Sequence, residues 1–203
     1  MSDTPVRPLV AGKIGATLLC CYLVAVAVRI GGCYGADAGV RNDRPDAGPH
    51  VGEAFPAFDA RDVSGAHITL QSLAGRPAVL LFAPSLDWSA PTKARVIDVA
   101  EALGRRRDLT LSVIMTSAAA TPRGLRFVRE HALPAYFLVD EDATLTEGLG
   151  IGADGPEGGR VALPATFVLD AAGRVVLRDV RTDPRRWLDP GALLAATGLS
   201  PHP

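Results

Sequence analysis

The sequence predicts an α/β fold in which a central mixed sheet carries helices on both faces, and three observations predict it. From Val51 onward, apolar runs of strand length alternate with segments of helical period. Residues 78–83 form an unbroken apolar run, as a central strand buried on both faces requires. Near the C-terminus two strand-like runs, 165–170 and 174–177, are joined by Ala171-Ala172-Gly173, a hairpin that adds antiparallel pairing to the parallel crossovers before it.

In chain order, the first segment stands apart. Arg7 and Lys13 precede an apolar run, 14–28, which Arg29 interrupts. As a helix this run would extend roughly 22 Å, short of the ~30 Å hydrocarbon core. The length suits a secretory signal, with Ala36-Asp37-Ala38 as a small-x-small cleavage site. Two alternatives stay open: an uncleaved anchor with Lys13 and Arg29 at the interfaces, and a lipid-bearing Cys33, which Arg29 disfavours. Each sends the rest of the chain out of the cytoplasm, to a periplasmic or other extracytoplasmic side. Residues 1–38 are thus expected to be a signal or anchor, the chain's one membrane contact. Residues 39–50, polar and with Pro45 and Pro49, read as a flexible linker.

A folded domain is then expected over 51–199, with 200–203 as a tail. Strands are predicted at 67–70, 78–83, 109–116, 135–139, 165–170 and 174–177. Helices are predicted at 90–105, where Val96, Val99, Ala100 and Leu103 share a face, at 122–133 and at 188–197. The glycine-rich stretch 148–159 reads as a flexible insertion. It does not open a helix after a buried strand, which excludes a dinucleotide loop.

Composition narrows the function classes. The 203-residue chain holds 21 basic and 22 acidic residues, so it has no field to attract nucleic acid or an anionic membrane. Its cysteines are Cys20, Cys21 and Cys33, and none occurs from Tyr34 to Pro203. The domain therefore carries neither a disulfide nor a thiol. His50, His67, His131 and His202 are scattered without ligand spacing. No metal site and no cofactor are expected, and the acidic turn Asp140-Glu141-Asp142 reads as a solvated strand end.

The most informative stretch is Trp88-Ser89-Ala90-Pro91-Thr92-Lys93, between the buried strand and the next helix. It resembles W-C-x-P-C-K with a hydroxyl in place of each sulfur. Val51-Gly52-Glu53-Ala54-Phe55-Pro56-Ala57-Phe58, Gly75-Arg76-Pro77-Ala78-Val79-Leu80-Leu81-Phe82 and Leu163-Pro164-Ala165-Thr166-Phe167-Val168-Leu169-Asp170 flank it in matching order. Together they resemble the redoxin branch of the thioredoxin superfamily, the AhpC/TSA and TlpA- or MauD-like proteins. The resemblance spans about 51–198. It implies a thioredoxin-like fold with an N-terminal strand extension, and a dithiol site falling on Ser89 and Thr92. In the peroxiredoxin register the reactive position falls on Pro91, again without sulfur.

What the resemblance implies for chemistry, the residues deny. A thiol near pKa ~8.5 can be drawn toward thiolate by a helix N-terminus, but an aliphatic hydroxyl cannot, and it forms no mixed disulfide. Thiol-disulfide and peroxide catalysis are accordingly expected to be lost. Pro164 is the cis-proline that the resemblance implies. Trp88, Ser89, Pro91, Leu163 and Pro164 become the expected contact surface for an extended polypeptide or partner protein, in a binding or maturation-accessory role. Two alternatives stand beside this: an oxidoreductase role supplied with a partner's thiols, and a glutathione-binding enzyme using the Ser89 hydroxyl. Ser89 also has a plain structural reading, as a helix N-cap with Pro91 in the first turn.

Overall fold

The computed structural model describes residues 35–199 apart from residues 105 and 157. The signal or anchor expectation, with Cys33, and the expected tail therefore fall almost wholly outside the described residues.

The ladder begins where the continuous apolar run predicted it. Ala78–Phe82 (β4) is buried at every position because both faces of the sheet are covered. It pairs in parallel with Thr110–Thr116 (β5), which pairs in parallel with Tyr136–Asp140 (β6). On the other side β4 meets Ala165–Leu169 (β9) antiparallel, and β9 meets Val175–Val180 (β10). Two short strands, Asp59–Asp62 (β2) and His67–Thr69 (β3), extend the far edge by antiparallel pairing, giving a seven-stranded sheet ordered β10-β9-β4-β5-β6-β2-β3.

Alternation along β4 sorts the core into two layers. Val79 and Leu81 face Ala90–Leu103 (α1), Pro122–His131 (α2) and Pro190–Ala196 (α4), whose Val96, Val99, Leu103, Phe127, Val128 and Leu193 pack there. Leu80 and Phe82 face the opposite way, onto Phe55, Leu149 and Ile151, with Leu145 of the short helix Thr144–Gly148 (α3) against them. Each longer helix starts on a capping side chain followed by proline: Ser89 before Pro91, Thr121 before Pro122, Asp189 before Pro190.

Several expectations differ from the structure, among them the solvated strand end at Asp140, which is 6% exposed and accepts the Leu145 and Thr146 N–H groups. The presumed linker 39–50 is a packed strap. Gly35–Asp37 (β1) pairs in parallel with Arg186–Leu188 (β11), Asn42 bridges Val180, and Ala47 is buried in the core against the sheet. Arg181, only 2% exposed, fastens it: its guanidinium takes Asp179 with two nitrogens, Asp37 Oδ2 at 2.7 Å and the Gly39 carbonyl at 3.0 Å. The glycine-rich insertion is also ordered, with Gly152–Asp154 (β7) and Arg160–Ala162 (β8) forming an antiparallel pair. Finally, no peptide bond among the described residues is cis, the one before Pro164 included. Pro164 is buried, and its carbonyl accepts the Arg181 N–H at 2.9 Å, so this segment is tied to the strap's anchor.

Candidate functional site

The site sits where β4 ends and α1 begins. Ser89 has extended backbone angles and its Oγ faces the Thr92 N–H at 3.4 Å, a long capping contact. The stronger bond is between the side chains: Ser89 Oγ and Thr92 Oγ1 lie 2.7 Å apart. Both residues are buried, at 4% and 1% exposure. The two hydroxyls therefore satisfy each other beneath the surface, and among the described residues no imidazole or carboxylate is a hydrogen-bond partner of either. A hydroxyl becomes a nucleophile when an adjacent base takes its proton, and among the described residues the hydrogen bonds of this pair reach none.

Around the pair the expected residues divide. Trp88 is 38% exposed, one of the few large apolar side chains among the described residues left open to solvent, and Pro91 three positions on is half-buried. Leu163 is half-buried and Pro164 buried at the entry to β9, whose first residue Ala165 pairs with Phe82 at the end of β4. Strand pairing thus brings the Pro164 segment alongside the start of α1.

A residue that sequence reasoning missed joins these two segments. Arg95, 2% exposed, sends Nη1 to the Phe82 carbonyl at 3.1 Å and Nη2 to the Ala165 carbonyl at 2.9 Å and the Thr166 hydroxyl. All three acceptors are neutral. Burial pushes its pKa down to about 10, against the attraction of Asp179. The signal was present in the helical period, since Thr92, Arg95, Val96 and Val99 share the inward face, but a charged residue at such a position ordinarily reads as solvated.

The loop ahead of α1 is also braced. Asp87 takes the Thr121 hydroxyl at 3.0 Å and lies 3.3 Å from Arg123, tying the loop to the start of α2. The Lys93 ammonium sits 5.7 Å from the Phe127 ring centre, a cation–π contact between α1 and α2. Among the described residues no group of His, Cys, Asp and Glu side chains could hold a metal ion.

Comparison with known proteins places this geometry. Residues 51–178 match the model of the AhpC/TSA family. No curated protein sequence matches the chain significantly. Among solved structures, the chain is similar to a thiol peroxidase from Chromobacterium violaceum, with 22% identity and a TM-score of 0.59, covering 79% of this chain and 96% of that one. A peroxiredoxin-like protein from Aquifex aeolicus superposes with a TM-score of 0.63 at 15% identity, over 75% of this chain and 90% of its own. Mycobacterium tuberculosis AhpC gives 0.56 at 17% identity, over 74% and 92%. At these identities the shared property is the thioredoxin-like fold.

Proposed function

Since the chain belongs to the AhpC/TSA family, yet carries a mutually bonded Ser89–Thr92 hydroxyl pair where the resemblance puts a dithiol, we propose that it is a redoxin without thiol catalysis that binds a partner polypeptide. The observation that carries this reading is the pair itself: buried, 2.7 Å apart and hydrogen-bonded to no base among the described residues. Exposed Trp88, together with half-buried Pro91 and Leu163, supports a contact surface for an extended segment, serving assembly or maturation of a client outside the cytoplasm. The N-terminal apolar run supports export, with the run as the membrane attachment.

The full chain and its Ser89→Cys/Thr92→Cys variant separate the possibilities in insulin-reduction and peroxide-consumption assays. A silent wild type beside an active variant is the expected result, because a thiol at a helix N-terminus regains access to thiolate. Turnover by the wild type would overturn the proposal in favour of an oxidoreductase fed by other means. Silence of both would sever the site from the family's dithiol position.

A further inference from the structure

A cleft at the β2–β3 edge of the sheet lies away from the hydroxyl pair and shares no lining residue with it. It encloses about 620 Å³ between the β2–β3 edge and the segment that follows β6. Its apolar part is made by Phe58, Val139 and Leu145. Arg61 and His67 are direct cross-strand partners, so their side chains leave the same face of the sheet side by side and line the cleft together.

Arg61 is not fully engaged. Among the described residues, Arg61 has one ion pair, Nε to Glu141 at 3.9 Å, which is beyond hydrogen-bond length and leaves its forked nitrogens available. His67 Nδ1 lies 2.9 Å from Asp59 Oδ1, a contact that orients the ring: with its Nδ1–H donated to that carboxylate, His67 flanks Arg61 as a neighbour rather than as a second donor. The buried acid on the opposite wall is already satisfied: Asp140 accepts the N–H groups of Leu145 at 3.0 Å and Thr146 at 2.8 Å. Glu141 is thus the side chain that an incoming anion would displace from Arg61.

We propose that this cleft is a binding site for a small organic monocarboxylate with an apolar body, its carboxylate held by the Arg61 guanidinium beside His67 and its body against Phe58, Val139 and Leu145. The site is independent of the hydroxyl pair and adds a ligand to the fold rather than restoring chemistry to it.

The probe is 3-phenylpropanoate, added to the full chain while the imidazole resonances are followed by NMR, with His67 assigned through His67→Gln. A saturable shift of the His67 resonance below about 10 mM is expected, in the range of weak small-ligand sites. Arg61→Gln lowers that affinity about tenfold, as loss of a charge-assisted forked contact requires, while Glu141→Gln raises it severalfold by removing the competing carboxylate. The neutral 3-phenylpropanol binds more weakly and does not distinguish the variants. An unmoved His67, equal binding of acid and alcohol, or an Arg61→Gln variant with wild-type affinity would each overturn the proposal. All three side chains lie at the surface, and the unchanged fold of each variant is checked by its remaining imidazole resonances.

Discussion

A buried arginine without a carboxylate in hydrogen-bond contact is an expensive residue, and Arg95 holds its place by tying helix to sheet. Its guanidinium joins α1 to the last residue of β4 and the first two of β9, so the floor under Ser89 and Thr92 is set by hydrogen bonds rather than by apolar packing. Two opposing terms decide what its removal does. Losing charge-assisted bonds and opening a cavity destabilise, whereas losing the desolvation penalty, visible in the pKa lowered to about 10, relieves the folded state. Arg95→Ala incurs both losses and is expected to cost about 3 kcal/mol. Arg95→Met fills most of the space and is expected to cost about half that. Urea denaturation of both variants checks the ordering, and equal losses would mean that the bonds alone matter. The site was legible in part for the same reason: a Ser before Pro at a helix start announces a cap, but a charged residue on an inward face does not announce that it is buried.

At the scale of elements, the strap over 35–50 is where composition misleads most. Its residues are polar and proline-bearing, which reads as linker, yet its order comes from groups far away in sequence: Asp179 accepts the Arg41 N–H, Arg178 reaches the Ala47 carbonyl, and Asp43 receives the Thr182 N–H. Gly48 tests this directly. It has a φ of +69°, and a Cβ there would lie 2.7 Å from Phe167 Cζ in the core. Gly52 has a φ of +93° with nothing within 4 Å. Gly48→Ala is expected to cost about 2–4 kcal/mol, from backbone and overpacking together, and Gly52→Ala only the backbone share of about 1–2. Thermal melts that leave Gly48→Ala at wild-type stability would return this segment to the status of a linker. Other elements follow the same division. β4 and α1 were readable because a continuous apolar run and a helical stripe are local signals. β2, written Asp59-Ala60-Arg61-Asp62, was not, because its strand character comes from pairing with β6 and β3. β1, β7, β8 and β11 are three residues each, too short to display a period.

For the whole molecule, the strap bears on where an exported chain would begin. Cleavage after Ala38, the small-x-small site in the sequence, would remove β1 and with it the pairing to β11 and the Asp37 carboxylate that Arg181 holds. Arg181 would keep Asp179, so the charge would not be stranded, and Asp37 is itself about one-third exposed, which limits its contribution. The loss of one carboxylate and of a strand pair is nonetheless expected to cost about 2 kcal/mol. A mature chain that keeps the apolar run as an anchor, or is cut ahead of Gly35, avoids that cost. If the chain is exported as proposed, the expected N-terminus of the mature protein therefore lies at or before Gly35, as intact-mass measurement would read it. Comparing urea midpoints of chains starting at 35 and at 39 isolates the energetic half of the argument. A mature protein beginning at Gly39, as stable as the longer chain, would make β1 dispensable and return Ala36-Asp37-Ala38 to its reading as a cleavage site.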